Sequence, residues 1–289
     1  MAKIGLAIRP GVPEALALGR ELLAWAEKHE HEILLKEGTA EMLGKEGAGL
    51  SAPKLTVAAD PIVTLGGDGT LIGIARYVNR KSPVMVGVNF GNLGFLTEVL
   101  PAELFPVLEN VLAGNIEIGQ RRMLRAEVIR DTESVFSSSA VNDAVILKGS
   151  RDPLFEMDLF VENESVMRLR GDGVIIATPT GSTAYSLAAG GSIAHPWLSV
   201  LLVTPICPHS LSARPLLLPL ELNLSIELPP YEGRVFLSID GQQSFSLQAG
   251  DVISINKSKR ALKFVRSPNR SYFDILRTKL NWGIDNEVG

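Results

Sequence analysis

The residues best suited to chemistry form a Gly-Gly-Asp-Gly-Thr segment at residues 66–70, directly after an apolar run that ends at Leu65. Glycine lets the backbone turn sharply, and its N–H groups, with those of a following helix start, can bind an anion. We therefore expect phosphate groups here. Because the carboxylate of Asp68 would repel phosphate, we expect it to act on a hydroxyl as a general base or to hold a metal ion. The alternative is a tight turn in which Asp68 is an ordinary N-cap and no ligand binds.

A second segment, residues 171–185, combines glycine turns with hydroxyl groups and one aromatic ring. Hydroxyls and N–H groups at a helix start suit ribose or phosphate oxygens, and the ring of Tyr185 can lie against a planar base. A β-turn followed by a capped helix, with Tyr185 merely buried, would explain Gly181 and Ser182 but not the density of polar groups. Since twelve of the 27 glycines lie in residues 66–94 and 171–191, the two segments together predict a nucleotide site.

Two further polar residues, Asn142 and Asp143, interrupt an apolar run at residues 140–147. Consecutive residues of a strand point to opposite faces, and burying either one unpaired would cost roughly 1–3 kcal/mol. The pair can bind a ribose diol or a carboxamide, and a turn at the end of a strand is the alternative.

Composition limits the classes of function. The chain has 289 residues, of which 46% are hydrophobic and 21% charged, so it can bury its own core. A net charge of −4 gives no field that attracts nucleic acid, and no apolar run reaches a membrane span of about 18 residues. The single cysteine, Cys207, favours a reducing compartment. We expect a cytoplasmic protein with no nucleic-acid or membrane partner, and we assign no metal ligand.

The predicted secondary structure that must position these residues differs between the two parts of the chain. Up to about residue 118, short apolar runs alternate with helical spacing, which predicts a parallel sheet covered by helices. The predicted strands are residues 3–8, 32–35, 58–65 and 83–88, and the predicted helices are 13–30, 40–43, 71–80 and 101–112.

Beyond residue 118, the pattern is typical of an antiparallel β domain. The predicted strands are residues 125–130, 139–147, 156–161, 174–177, 199–205, 222–228, 235–239 and 252–256. Helical spacing returns at 182–189 and at 272–280, and we expect the last helix to pack on the first domain. The prediction is an α/β domain at 1–118, joined by 267–289, and a β-rich domain at 119–266.

Four segments resemble the motifs of the NAD kinase family in order and spacing: residues 66–70, 93–97, 142–143 and 171–186. The first alone also resembles diacylglycerol kinases, sphingosine kinases and phosphofructokinases, but its combination with residues 178–185 is specific to this family. The resemblance covers residues 60–280. It implies an α/β domain and a β-rich domain with the active site in a crevice between them, and transfer of a phosphoryl group to the 2′-hydroxyl of the adenosine ribose of NAD.

The resemblance also implies roles for single residues. Asp68 would deprotonate the hydroxyl, Gly69 would line the site, and Phe95 would lie beside the adenine. The implied NAD contacts in the β-rich domain are Asn142, Asp143, Arg170, Asp172, Thr183, Ala184, Tyr185, Ser186, Leu187, Ala188 and Gln242. The residues expected to bind the phosphates of the donor are Gly66, Gly67, Gly69 and Thr70.

Two departures from the family pattern concern the NAD contacts. Relatives often have Glu where this chain has Asp143, and some bacterial relatives have a basic residue where this chain has Pro153. Arg151 or Lys148 could substitute for that basic residue.

The resemblance further implies the partners. A divalent cation, expected to be Mg²⁺, accompanies the donor, which is ATP or polyphosphate, and the chain is expected to form a homodimer or homotetramer. Two alternative functions fit less well. A lipid kinase would need a membrane-binding helix, and no segment has that pattern. A non-catalytic NAD sensor would need no carboxylate aimed at a hydroxyl.

Overall fold

Short apolar runs in the first third of the chain form a parallel sheet. The computed structural model describes residues 1–79, 82–91, 93–267 and 270–282. It divides into a first unit, Met1–Gln120 with Leu262–Gly289, and a second unit, Arg121–Ala261. The strands that lie wholly in the first unit are β1 (Lys3–Ile8), β2 (Glu32–Lys36), β3 (Gly49–Leu50), β4 (Ile62–Leu65) and β5 (Val84–Val88). The first helices are α1 (Pro13–Lys28), α2 (Glu37–Met42), α3 (Ala52–Ala58), α4 (Asp68–Ala75) and α5 (Leu104–Ala113).

The register of this sheet decides which residues meet at its edge. The strands pair in the order β5-β4-β1-β2-β3, and every pair is parallel. Leu65 at the end of β4 is paired with Ile8 at the end of β1 and with Val88 at the end of β5. The residues that follow these three strands therefore emerge side by side at the carboxyl edge, where α/β sheets bind ligands.

The helices cover the apolar faces of this sheet. Helix α1 begins with Pro13 at its first position, as the sequence predicts, and buries Leu18 and Leu22 against the strands. Helix α5 buries Leu104 and Leu108 in the same core, and its C-cap is Gly114, whose φ of 73° is left-handed.

The sequence did not predict β3 or α3, and the predicted helix at 40–43 begins earlier, at Glu37. Two further predictions for this region were wrong in part. The predicted strand at 58–65 is shorter, because Ala58 ends α3, whose Ala52, Leu55 and Thr56 are buried at helical spacing. The predicted helix at 71–80 begins earlier, at Asp68, and ends at Ala75. Its last predicted residue, Arg80, lies outside the described residues.

The second unit consists mainly of antiparallel strands. They are β6 (Ile118–Arg130), β7 (Glu133–Ala140), β8 (Asp143–Lys148), β9 (Phe155–Val161), β10 (Glu164–Gly171), β11 (Gly173–Ala177), β12 (Val200–Ile206), β13 (Leu216–Pro219), β14 (Leu224–Glu227), β15 (Val235–Ile239), β16 (Gln243–Leu247) and β17 (Val252–Val265). β6 begins and β17 ends in the first unit. A 3₁₀ turn (Gly181–Thr183) precedes the short helix α6 (Tyr185–Ala188).

Two groups of paired strands enclose the core of this unit. One has the order β13-β12-β11-β8-β15-β16, and the other includes the run β10-β9-β14-β17, with β6 pairing with β17 and β7. Apolar side chains of both groups, such as Ile146 and Ile176 from the first and Leu159 and Ile253 from the second, share one buried cluster.

The sequence did not predict β10, β13 or β16. The run at 139–147 divides into β7 and β8 around Val141 and Asn142. The predicted helix at 182–189 is interrupted at Ala184, whose backbone angles of −100° and −130° are not helical.

The chain ends in the first unit. β17 pairs in parallel with β5 through Lys263 and Phe264, and helix α7 (Tyr272–Leu280) follows, with the bounds that the sequence predicts. Ser271 and Asp274 form a capping box at its start. Residues 268–269 and 283–289 of the predicted C-terminal segment lie outside the described residues. The predicted fold class, an α/β part with a parallel sheet, a β-rich part and a final helix in the first unit, is confirmed.

Candidate functional site

A cavity of about 370 Å³ lies at the carboxyl edge of the parallel sheet in the first unit. Its walls come from the segments after β1, β4 and β5 and from α7. The lining residues are Arg9, Val12, Gly66, Gly67, Asp68, Asn89, Phe90, Gly91, Gly94 and Lys279.

The glycine turn shapes one wall of this cavity. Gly67 is the N-cap of α4. At Gly67 and Gly69 an added Cβ would meet no atom within 4 Å, so the space beside the turn is open to a ligand. A Cβ at Gly66 would lie 2.8 Å from Cβ of Arg9 and would overlap the hydroxyl of Thr70, so this position requires glycine. The turn therefore presents the start of a helix to the cavity without side chains in the way.

The charge of the cavity lining is positive. Arg9 and Lys279 contribute two cations, and Asp68 contributes the single carboxylate among the lining residues. A chain with a net charge of −4 thus places a local excess of positive charge beside a helix start. This arrangement favours a phosphorylated ligand.

The Asp68 carboxylate is held by the loop after β5. Oδ1 accepts hydrogen bonds from the backbone N–H groups of Leu96 (3.1 Å) and Thr97 (3.0 Å) and from the Thr97 hydroxyl (2.8 Å). Oδ2 accepts one, from the N–H of Phe95 at 2.8 Å. Gly67 is the N-cap of α4 and Asp68 is the first helical residue, so the alternative in which Asp68 is an ordinary N-cap was wrong.

Glycine at position 94 permits this contact. A Cβ there would overlap the Asp68 carboxylate and the hydroxyl of Thr97. The next residue, Phe95, is partly buried, and its ring centroid lies 6.0 Å from that of Tyr272 on α7. The predicted site residues of the first unit, which are Gly66, Gly67, Asp68, Gly69, Thr70 and Phe95, therefore lie close together along the glycine turn and the loop it binds.

A similar carboxylate clamp occurs in the second unit. Asp240 accepts hydrogen bonds from the backbone N–H groups of Val141 (3.0 Å), Asn142 (2.7 Å) and Asp143 (3.1 Å). Asp240 has a left-handed φ of 51°, and the next residue, Gly241, has 62°. Asn142 lies in the break between β7 and β8, and Asp143 starts β8, so the pair stands at a turn between strands. Binding of a ribose diol or a carboxamide by the pair stays a prediction.

Asp143 is buried, with 4% of its surface exposed. Burial, with the nearby charge of Asp240 as a second cause, raises the pKa of Asp143 to about 7. A carboxyl group with such a pKa can exchange a proton, or donate a hydrogen bond when protonated, near neutral pH.

The break between β7 and β8 packs closely on the second glycine segment. A Cβ at Gly181 would overlap the backbone carbonyl of Asn142. The N–H of Thr178 donates to that carbonyl at 2.8 Å, and the Thr178 hydroxyl donates to the carbonyl of Val141 at 2.6 Å. The structure thus brings the two predicted segments of this unit together.

Several hydroxyl groups in the second glycine segment, and that of the adjoining Ser186, are occupied within the fold. Ser182 Oγ donates to the carbonyl of Pro179 at 2.6 Å, Thr183 Oγ1 donates to the carbonyl of Thr180 at 3.2 Å, and Ser186 Oγ is bonded to Thr204 Oγ1 at 2.9 Å. These hydroxyls explain the density of polar residues structurally, in addition to any ligand.

The remaining predicted NAD contacts differ in exposure. Tyr185 is 45% exposed, so the alternative that it is merely buried was wrong. Asp172 is partly buried, and its carboxylate lies 3.5 Å from Nζ of Lys148. The others that a ligand can reach are Arg170, Thr183, Ala184, Leu187, Ala188 and Gln242, all exposed or partly exposed. Of the two candidates for the missing basic residue, Lys148 is the one paired with a predicted site residue, while Arg151 is exposed.

Sequence reasoning missed three residues of these sites. Arg9 could have been found, because it follows β1 as Gly66 follows β4 and so lies at the same sheet edge. Asp240 stands two residues before the predicted Gln242, but nothing in the sequence pairs it with residues 141–143. No sequence pattern marks Lys279 as a site residue either, because its place at the cavity depends on how α7 packs.

The described residues contain no group of three His, Cys, Asp or Glu side chains that could enclose a metal ion. Within the same part of the chain, no helix is both long and apolar enough to cross a membrane.

A glycine turn at the carboxyl edge of a parallel sheet, with two cations and one carboxylate beside it, defines a phosphate-handling enzyme of the α/β class. Residues 4–116 match the family model described as the ATP-NAD kinase N-terminal domain, and residues 141–267 match the ATP-NAD kinase C-terminal domain. The chain belongs to the NAD kinase family, a family of phosphotransferases.

Relatives match over nearly the full length. A protein named NAD kinase from Syntrophotalea carbinolica is 40% identical over 283 residues, which cover 98% of this chain and 99% of that protein. An NAD kinase from Magnetococcus marinus is 41% identical over 291 residues, covering 98% and 94%.

Solved structures share the fold. A yeast NADH kinase complexed with NADH superposes with a TM-score of 0.90 at 26% identity, covering 100% of this chain and 90% of that one. An NAD kinase from Archaeoglobus fulgidus in complex with ATP gives a TM-score of 0.75 at 24% identity, covering 96% and 99%, which supports the fold alone.

Proposed function

We propose that this chain transfers a phosphoryl group from ATP to the 2′-hydroxyl of the adenosine ribose of NAD, which yields NADP. Membership of the NAD kinase family supports the reaction. The observation that carries the proposal is the position of the Asp68 carboxylate, held by four hydrogen bonds in a cavity whose other charged residues are cations. A carboxylate in such a place suits a reaction that needs both bound phosphates and a deprotonated hydroxyl.

The donor phosphates are proposed to bind along the glycine turn. The open space beside Gly67 and Gly69 admits oxygen atoms to the first N–H groups of α4, and Thr70 lies in the first turn of that helix. Arg9 and Lys279 would neutralise further phosphate charge. Phosphoryl transfer depends mostly on positioning and charge stabilisation, which these groups provide.

Asp68 is proposed to accept the proton of the acceptor hydroxyl at Oδ2. Oδ1 already accepts three hydrogen bonds, whereas Oδ2 accepts one of the two that the lone pairs of a carboxylate oxygen can accept. The fixed Oδ1 orients the group, and Oδ2 retains capacity for a substrate hydroxyl. General-base help of this kind typically contributes about 10²–10⁴-fold to the rate.

Mg²⁺ is the proposed cation. Asp68 is the single carboxylate lining the cavity among the described residues. Mg²⁺ is commonly held by one or two carboxylates together with substrate phosphates and water, so this lining suits a cation that arrives with the donor. When bound, it would neutralise charge on the transferred phosphoryl group.

The NAD contacts in the second unit are proposed from the family resemblance and from the surroundings of each residue. The exposed ring of Tyr185 can lie against a planar ring of the dinucleotide, and the buried Asp143 can hold a ribose or adenine polar atom. Arg170 and Asp172 remain the proposed contacts of the nicotinamide half. The other proposed contacts that are at least partly exposed are Asn142, Thr183, Ala184, Leu187, Ala188 and Gln242. Ser186 is fully buried, and it is proposed from the family resemblance alone.

Cellular location and assembly are also proposals. The unpaired, exposed thiol of Cys207 is compatible with a reducing cytoplasm. A homodimer or homotetramer is proposed from the family resemblance, and sedimentation of the purified protein tests it.

The activity is tested by incubating purified protein with NAD, MgCl₂ and either ATP or polyphosphate, and by measuring NADP with an NADP-specific dehydrogenase. We expect NADP with ATP, and its loss when EDTA replaces MgCl₂. NADP formed with polyphosphate but not with ATP would correct the donor. No NADP with either donor would overturn the proposed function.

A further inference from the structure

A second cavity in the first unit, of about 680 Å³, adjoins the first cavity, which lies at the glycine turn. The two share Asn89, Phe90 and Gly91, the segment that follows β5. The two cavities therefore lie next to each other along this segment.

The second cavity differs from the first in charge and polarity. Its floor and walls include the partly buried rings of Phe90 and Phe105. Its charged lining residues are Glu14 and Glu21, both exposed on one face of α1. Carboxylates at the rim repel phosphate, and aromatic faces favour a flat, uncharged ring.

We propose that this second cavity binds the base of the nucleoside triphosphate donor while its phosphates occupy the first cavity. The inference rests on the proposed function and deepens it, because it assigns a binding site to the base, which ATP has and polyphosphate lacks. Opposite charges in adjoining cavities fix the direction of the ligand: the triphosphate lies beside Arg9 and Lys279, and the base lies between α1 and the segment that leads into α5.

Two substitutions fill the cavity from opposite walls without touching the glycine turn. Ala17 on α1 and Ala102 before α5 both line the cavity and are exposed, so a larger side chain there can extend into it without disturbing the core. Ala24, an exposed residue of α1 that does not line the cavity, provides a matched control for the same change.

The test measures dissociation constants of Mg-ATP and of inorganic tripolyphosphate by calorimetry for wild type, Ala17→Trp, Ala102→Trp and Ala24→Trp. Because the added indole excludes the base from its contacts with Phe90 and Phe105, ATP binding should weaken about tenfold in the first two variants. Tripolyphosphate binding should change by less than about twofold, as should ATP binding to the control. KM for NAD, measured in the coupled assay, should also stay constant.

Other results overturn the subsite. Unchanged ATP binding in both filling variants would show that the base lies elsewhere. If tripolyphosphate binding weakened as much as ATP binding, the substitutions would be acting on the first cavity. A raised KM for NAD would place the acceptor in the second cavity. Weaker ATP binding in the two filling variants, together with a wild type that makes no NADP, would refute the proposed function and retain the subsite.

Discussion

Thr97 donates two hydrogen bonds to one oxygen of Asp68, through its backbone N–H at 3.0 Å and through its hydroxyl at 2.8 Å. The two residues are 29 positions apart, at the start of α4 and in the loop after β5. Thr97 is fully buried, and its hydroxyl also accepts a bond from Nδ2 of Asn89 at 3.3 Å. The proposed base is thus oriented by a fully buried hydroxyl.

Thr97→Val removes this hydroxyl and keeps the shape of the side chain. We expect kcat to fall about tenfold, because Asp68 loses one of the hydrogen bonds that orient it. A hydrogen bond to a charged group contributes about 1.5–3 kcal/mol, and the backbone N–H of residue 97 still holds the carboxylate in part. KM for NAD and for ATP should change by less than about twofold. Thr97→Ser retains the hydroxyl and should restore most of kcat; equal losses in both variants would contradict a positioning role.

Asp68→Asn removes the proposed base. We expect kcat to fall by about 10²–10⁴ while NAD binding, measured by calorimetry, stays nearly intact. The amide NH₂ would also face backbone donors in the loop at residues 95–97, so the midpoint of thermal unfolding should decrease as well. Turnover close to that of the wild type would refute the assignment of Asp68, and loss of NAD binding together with kcat would indicate a structural role instead.

Lys279→Ala tests the positive charge of the first cavity. We expect KM for ATP to rise about tenfold, because one cation beside the phosphates is lost, and KM for NAD to stay constant. The steady-state assay with varied ATP measures this. Lys54→Ala, on the exposed side of α3, is the matched control and should behave like the wild type. An unchanged KM for ATP in Lys279→Ala would remove this residue from the phosphate site.

Asp143→Asn tests the buried carboxyl group of the second unit. Its pKa is raised from 3.8 to about 7, so the folded protein binds a proton more tightly than the unfolded chain does. The resulting stabilisation is fully present below pH 3.8 and is lost as the pH rises to about 7. Because the amide resembles the neutral acid, the variant should unfold at a higher temperature than the wild type at pH 8, and the difference should shrink towards pH 4.5.

Thermal unfolding followed by circular dichroism across this pH range measures the effect. Glu133→Gln removes an exposed carboxylate and should give a difference that is small at every pH. A pH-independent difference between Asp143→Asn and the wild type would show that Asp143 is ionised alike in the folded and unfolded states.

The sequence by itself determined the class of the fold and the location of the glycine turn. Hydrophobic periodicity and glycine or proline at element ends are local signals, which is why β1, β15 and α7 have the predicted bounds. Short or amphipathic strands such as β13 and β16 were not predicted, because they are strands through pairing with their neighbours rather than through their own sequence pattern.

Only the tertiary structure decided what surrounds the chemistry. Arg9 and Lys279 line one cavity although 270 positions separate them along the chain, and Asp240 holds the turn at residues 141–143 from about 97 positions away. Likewise, the hydroxyls of Ser182 and Ser186 are occupied by partners within the fold. Side-chain partners of this kind depend on strand register and helix packing, which follow from the sum of many contacts, so no local pattern encodes them.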